Sequence, residues 1–211
     1  MLNKILVFDM DGTIYMGSTL FPFTKKFLQR LSENGIGYSF LTNNPTKSIP
    51  DYLKKLQGLG IDAEAEEVYT TAVATIDYIK QNHPEAKRLF VLGTPSMIKE
   101  FEEAGFEMCA DDPADRPDIL VVAFDMTLCY SRLCRASWWA AQGVRYIATN
   151  PDRVCPTDQE VILVDCGSMC KCIEHATGRE PDIVIGKPNP DMLKCIQTKY
   201  GMEPDEVAMC G

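Results

Sequence analysis

No stretch of this 211-residue chain approaches the roughly 18 consecutive apolar residues that a membrane-crossing helix needs, so no membrane span is expected. A signal-peptide shape is missing too: the N-terminal apolar run, Lys4 to Phe8 (KILVF), is interrupted at once by Asp9. Positive charge is scarce. Lys and Arg number 21 against 30 Asp and Glu, a net charge of −9, which argues against a nucleic-acid or anionic-membrane surface. If the substrate is itself an anion, cationic side chains must be concentrated at the site. Internal repeats and low-complexity tracts are absent as well. What remains is an ordinary globular balance, 45% hydrophobic and 24% charged, long enough to bury a substantial core, with room for two domains.

Nine cysteines without a secretory signal favour reduced thiols and a cytoplasmic setting. The tightest cluster, Cys166, Cys170 and Cys172 with His175 close behind, has C-x3-C-x-C spacing. That spacing matches neither the paired C-x2-C zinc pattern nor a cluster-binding run, so small core residues are the favoured reading.

The strand formers of KILVF run directly into Asp9-Met10-Asp11-Gly12-Thr13. Two carboxylates two apart at the C-terminal end of a buried strand sit where open α/β sheets bind ligands, and Gly12 permits a sharp turn there. Such neighbours repel by roughly 4 kcal/mol at about 4 Å and an effective dielectric near 20. A cation or a shared proton must offset that. The segment therefore predicts a bound divalent metal, an acid/base pair, or both. A calcium loop counted from Asp9 would need Gly at its sixth place and Glu at its twelfth; Ile14 and Leu20 stand there.

Helical spacing of Phe23, Phe27, Leu28 and Leu31 predicts a helix over Pro22–Asn34, stopped by Gly35. GYSFL at 37–41 then reads as a second strand running into Thr42-Asn43-Asn44-Pro45. Strand, helix and strand in succession imply a parallel pair with a right-handed crossover, which brings Thr42 and Asn43 beside Asp9. Helices are expected near 50–59 and 70–82. From Arg88 the alternation restarts, with strands at 88–93, 118–124 and 146–149 and helices at 96–104, through Trp138 and Trp139, and at 167–177. Residues 182–185 form a short strand leading to Gly186-Lys187-Pro188, followed by a helix at 190–200 and a last strand, EVAMC, at 206–210. The fold class is α/β: a Rossmann-like parallel-sheet core over 1–83 and 182–211, with an inserted α/β cap domain over 84–181. The chemistry this assembles (two acids, a hydroxyl-plus-amide pair, one lysine beside a rigid proline) is that of phosphoryl transfer once a magnesium ion is added.

D-x-D-G-T, then Thr at a strand end, then G-K-P, in this order, resembles the haloacid dehalogenase superfamily of phosphatases. The segments DMDGTIYMG, FLTNNP, YIATNPD, HATGREP and IGKPNPDM resemble its NagD-like, p-nitrophenylphosphatase branch, and the likeness covers nearly the whole chain. The resemblance implies that Asp9 attacks phosphorus to form an aspartyl-phosphate, and that Asp11 protonates the leaving oxygen and later activates water. It implies Mg²⁺ held by the Asp9 carboxylate and the Asp11 backbone carbonyl. Thr42 and Asn43 would bind the phosphoryl group, Asn44 would support their loop, and Lys187 would pair with phosphoryl oxygens and with Asp9. Asn150-Pro151-Asp152-Arg153 would either line the entrance under the cap or form a simple Asx turn.

One departure stands out. The family's third acidic motif begins with Gly-Asp after a strand like EVAMC, and this sequence stops at Gly211. Asp205 and Glu206 lie at the wrong end of that strand to substitute. The expectation is a core incomplete at its C-terminus, with weak Mg²⁺ binding, an unpaired sheet edge and less activity than a longer form. The leading function is a Mg²⁺-dependent phosphatase of small phosphorylated metabolites. A non-catalytic phospho-ligand binder or regulatory module is the alternative, and a phosphotransferase to alcohols a third. A homodimer is open, although adjacent tryptophans on one helix are more often core than seam.

Overall fold

The computed structural model describes residues 5–211; Lys4, included in the first expected strand, lies outside the described residues. The chain runs β1 (Ile5–Asp9), the hairpin β2 (Tyr15–Met16) and β3 (Thr19–Leu20), α1 (Thr24–Glu33), β4 (Gly37–Thr42), α2 (Ile49–Gly58), β5 (Val68–Thr70) and α3 (Thr71–Asn82). It continues through β6 (Arg88–Leu92), α4 (Pro95–Glu103), β7 (Glu107–Met108), β8 (Ile119–Val122), α5 (Tyr130–Ala141) and β9 (Arg145–Ala148). The hairpin β10 (Val154–Cys155) and β11 (Leu163–Val164), α6 (Cys166–Thr177), β12 (Ile183–Val184), α7 (Asp191–Tyr200) and β13 (Val207–Cys210) complete it.

Two parallel sheets result. The first has the order β13-β1-β4-β5, the second β12-β9-β8-β6-β7. Alternation along each strand sorts side chains to opposite faces. In the first sheet Phe8 and Phe40 face α1 and α2 with Leu28, Leu31, Tyr52 and Leu56. Val7 and Leu41 face the other way, into a cluster that also holds Leu89, Val91, Ile119 and Val121 of the second sheet. One continuous apolar layer, built on α3 and α4, therefore joins the sheets. The far face of the second sheet packs Leu120, Val122 and Tyr146 against Trp139. Trp139 is core while Trp138 is 48% exposed.

In two places the fold differs from its sequence expectation. The residues just before α3 form a third strand of the first sheet, β5, whose Thr70 hydroxyl also accepts from Val73 N to cap the helix. β12 pairs with β9 in the second sheet, so that sheet continues past residue 181 and the chain turns back to the first sheet only after Val184. The cysteine cluster lies on α6, where Cys166 and Cys170 are buried with their sulfurs 3.9 Å apart and Cys172 faces solvent. Among the described residues no group of three or more His, Cys, Asp or Glu could hold a metal.

Candidate active site

The register of the first sheet places the site. Asp9 at the end of β1 pairs with Leu41 of β4, so Thr42, Asn43 and Asn44 follow at the same sheet edge. Beyond Asp9 the chain folds back on itself: Gly12 adopts φ +87, its N–H reaching Tyr15 O at 2.8 Å, while Ile14 N reaches Met10 O at 3.1 Å. A left-handed φ of this kind is comfortable only for glycine. The turn aims both carboxylates into one cavity of about 410 Å³, whose walls include Thr42, Asn44, Asp152 and Lys187.

Asp9 Oδ1 accepts from its neighbour Met10 N at 2.9 Å and from Lys187 Nζ at 2.5 Å. Both donors reach the same oxygen, and among the described residues Oδ2 accepts no hydrogen bond. Asp11 Oδ2 accepts from Tyr15 OH at 3.3 Å, and Lys55 Nζ stands 3.6 Å from Oδ1. The same ammonium lies 3.7 Å from the centroid of the Tyr15 ring. Burial raises the Asp11 carboxyl above its ordinary range; Lys55 and Tyr15 oppose that rise, and the Asp9 charge adds to it. Burial likewise lowers the Lys55 ammonium, against the pull of Asp11. Both partners are shifted toward their neutral forms, as desolvation demands.

Asn43 lines the same cavity and is also engaged by its neighbours. Its Oδ1 accepts from Lys187 N at 2.9 Å, and its Nδ2 donates to Lys187 O at 3.2 Å and to Asp152 Oδ2 at 2.8 Å. The side chain thus clamps the Lys187 backbone at the wall of the cavity. Asn44 holds the loop: its Oδ1 accepts from Thr46 N and Oγ1, its Nδ2 reaches Cys155 Sγ at 3.5 Å, and its own N–H donates to Thr42 Oγ1 at 3.1 Å. Gly186 makes this joint narrow. A Cβ there would lie 2.7 Å from Asn150 Cβ, 2.8 Å from Asn43 Oδ1 and 2.9 Å from Thr149 O. At the edge of the sheet, β13 ends beside Asp9, where a Cβ on Gly211 would lie 3.2 Å from Asp9 Cβ.

A family profile described as haloacid dehalogenase-like hydrolase matches residues 6–107. The acid sugar phosphatase of Staphylococcus aureus strain USA300 is 34% identical over 208 residues, 99% of this chain and 78% of that relative. The chain belongs to the haloacid dehalogenase-like hydrolases. Among solved structures, a putative NagD protein superposes with TM-score 0.91 at 37% identity, covering 98% of this chain and 79% of that one. The 4-nitrophenylphosphatase of Thermotoga maritima does so with TM-score 0.90, also at 37% identity, over 98% and 77%. The glycerol phosphate phosphatase of Mycobacterium tuberculosis in complex with magnesium superposes with TM-score 0.87 at 27% identity, over 98% and 61%.

For a hydrolase of this family the donor set fits a hard divalent cation. Asp9 and Asp11 offer only oxygen, and magnesium is commonly held by one or two carboxylates, waters and substrate phosphate rather than by a closed protein cage. Three further residues enter the site that the motifs did not reveal. Tyr15 and Lys55 flank Asp11, and Asp165, buried at the head of α6, accepts from Asn150 Nδ2 at 3.1 Å. Lys55 did leave a trace in the sequence: it stands three residues after Tyr52 and one before Leu56, both buried, and so lies on the inward face of its helix.

Proposed function

We propose that this protein is a Mg²⁺-dependent phosphatase that hydrolyses small phosphomonoesters through a phosphorylated Asp9. The observation that carries the reading is the approach of Lys187 Nζ to Asp9 Oδ1 at 2.5 Å, beside an Asp11 carboxyl raised by burial. A carboxylate nucleophile and a phosphate repel each other, and an ammonium at their junction lowers that repulsion. A magnesium ion held by the Asp9 carboxylate and the Asp11 backbone carbonyl would supply further neutralisation of phosphoryl oxygens.

The chain's own groups then divide the work. Lys187, the Thr42 hydroxyl and Asn43, all in the cavity wall, bind and orient the phosphoryl group. Asp9 Oδ2 attacks phosphorus as the ester oxygen departs, giving an aspartyl-phosphate and an alkoxide. Asp11, whose burial favours its protonated form, donates its proton to that alkoxide. As a carboxylate it next takes a proton from a water molecule, whose oxygen attacks phosphorus and frees Asp9 and inorganic phosphate. Asn43, Asn44 and Gly186 keep the loops that carry Thr42 and Lys187 in register.

The division into a core (1–83 and 182–211) and a cap (84–181) belongs to the same reading, with β12 as the strand by which the returning chain still joins the cap's sheet. It is supported by Asp152, which reaches from the loop after β9 to Asn43 in the core loop. The substrate class follows the similar proteins, whose names refer to sugar phosphate, glycerol phosphate and nitrophenyl phosphate esters. A cytoplasmic location is part of the proposal, and nine cysteines that form no disulfide suit a reducing compartment.

The test is phosphate release from a panel of sugar phosphates, nucleotides and pyridoxal phosphate with Mg²⁺, combined with rapid quenching to trap labelled protein. Release that disappears in Asp9→Asn, with label on Asp9 in the unaltered chain, is expected. Turnover without a phosphoprotein would overturn the mechanism, and transfer of phosphate to added alcohol in preference to water would make the protein a phosphotransferase.

A further inference from the structure

Past Asp11 the catalytic cavity opens into a second cleft of about 790 Å³, which shares Asp11, Asn44, Cys155 and Pro156 with it. One wall is α2 and the loop before it, carrying Lys47, Lys54 and Lys55; the other is the β10–β11 connection, carrying Asp158. The protein as a whole carries a net charge of −9, whereas in this cleft the three ammonium groups match the three carboxylates of Asp11, Asp51 and Asp158. Lys55 is engaged by Asp11 and the Tyr15 ring. Lys47 and Lys54 are exposed, and among the described residues neither has a carboxylate within ion-pair reach. The Asp51 carboxyl, also in the cleft, is held below its ordinary range first by its bond from Ser48 and further by the charges of Lys47 and Lys54. Asp51 Oδ2 accepts from Ser48 Oγ at 2.7 Å in the cap of α2. The Asp158 carboxylate leans on Gly17, where a Cβ would lie 2.0 Å from Oδ2.

The position of this cleft matters as much as its charge. Asp11 must face the ester oxygen that it protonates, so the departing alcohol lies on the Asp11 side, and the cleft begins there. Resting on the phosphatase reading above, we infer that the cleft is the leaving-group subsite and that Lys47 and Lys54 bind a second anionic group on the alcohol. The preferred substrates are then phosphomonoesters that carry a carboxylate or a second phosphate several bonds from the ester. Two exposed ammonium groups of this kind favour such a substrate by roughly 3- to 30-fold, and the preference fades with salt as exposed charges are screened.

The experiment uses the whole chain with Mg²⁺ and three esters of matched shape: phenyl phosphate, 4-carboxyphenyl phosphate and 1,4-phenylene bisphosphate. Their binding to Asp9→Asn is measured by calorimetry at low and high salt, and their hydrolysis by the unaltered chain. Both doubly anionic esters are expected to bind several-fold tighter than phenyl phosphate at low salt. The double variant Lys47→Ala, Lys54→Ala should shrink that ratio toward one, and Lys47→Glu, Lys54→Glu should invert it. A preference for only one of the two anions would identify which group the lysines read. Equal hydrolysis and equal binding of all three esters, or a ratio unchanged in both double variants, would overturn the subsite and leave the phosphatase reading intact. A salt-sensitive preference in binding without hydrolysis of any ester would do the reverse.

Discussion

Lys187 Nζ meets Asp9 Oδ1 at 2.5 Å across 178 residues of sequence. Nothing local brings them together: Asp9 ends β1, whereas Lys187 follows the second sheet and is fixed by hydrogen bonds from its backbone to Asn43. Their side chains keep 26% and 28% of their exposure, so solvent screens the pair and its contribution to stability is small, at most about 1 kcal/mol. Its contribution to attack on an anion is larger, because the charge that matters there develops at the junction of the two side chains and the substrate.

Replacing Lys187 by Met therefore separates the two effects. The variant is expected to melt within a few degrees of the unaltered protein, while kcat/KM for ester hydrolysis falls by at least about 100-fold. Parallel melting curves and steady-state rates measure both. A large drop in melting temperature with proportionate loss of activity would make the pair structural instead.

Asp11 gives a prediction that depends on the leaving group. An alkoxide needs a proton as it departs, whereas 4-nitrophenolate leaves as a stable anion. Asp11→Asn should lower the rate on an alkyl phosphate by roughly 10²- to 10⁴-fold and the formation of phosphoprotein from the nitrophenyl ester by much less. In the proposed mechanism the water-activating step also uses this carboxylate, so phosphoprotein should accumulate in the variant. Equal losses on both esters in the phosphorylation step would remove Asp11 as the acid.

Much of this site was legible because it follows from a single register. Once KILVF and GYSFL are adjacent parallel strands, the residues after each must share an edge, and Asp9 with Thr42 follows from pattern alone. What escaped the sequence has two physical causes. β5 and the two hairpins have only two or three residues per strand, too few for a period to show, and the sheet that β12, itself expected as a strand, joins is settled by packing rather than by its own two residues. The role of the Asn43 side chain depends on a partner 144 residues away, and the pairing of Lys55 with Asp11 depends on how α2 seats on the first sheet. Residue type announced the chemistry, and tertiary contact decided which polar groups were already engaged.

Gly186 shows how closely that contact is fitted. A methyl group there would meet Thr149 O at 2.9 Å, a backbone atom that cannot swing aside, and Asn43 Oδ1 at 2.8 Å. Gly186→Ala should thus destabilise the protein by about 1–3 kcal/mol and impair turnover by shifting Lys187. Gly58, at the end of α2, has nothing within 4 Å of its position, and Gly58→Ala should be neutral or stabilising by up to about 1 kcal/mol. Urea unfolding of the two variants provides the comparison; similar effects at both sites would mean that the joint can relax.

Asp165 makes stability depend on pH in a direction opposite to that of an ordinary ion-paired carboxylate. Burial drives its carboxyl from 3.8 to about 6, opposed by hydrogen bonds from Cys166 N and from Asn150, with the Asp152 charge adding to the rise. Between those two pH values the folded chain retains a proton that the unfolded chain has already released. Stability contributed through this group is accordingly full below about pH 3.8, declines as pH rises to about 6, and is flat above. Asp165→Asn removes the titration while keeping an oxygen to cap Cys166 N and to accept from Asn150. The variant should match the unaltered protein near pH 4 and exceed it at pH 7, by at most about 3 kcal/mol. Because Asp11 and Glu100 are also raised by burial, the informative quantity is the difference between the two proteins in urea melts at each pH. A difference that stays constant from pH 4 to pH 7 would show that Asp165 does not hold its proton in the folded chain.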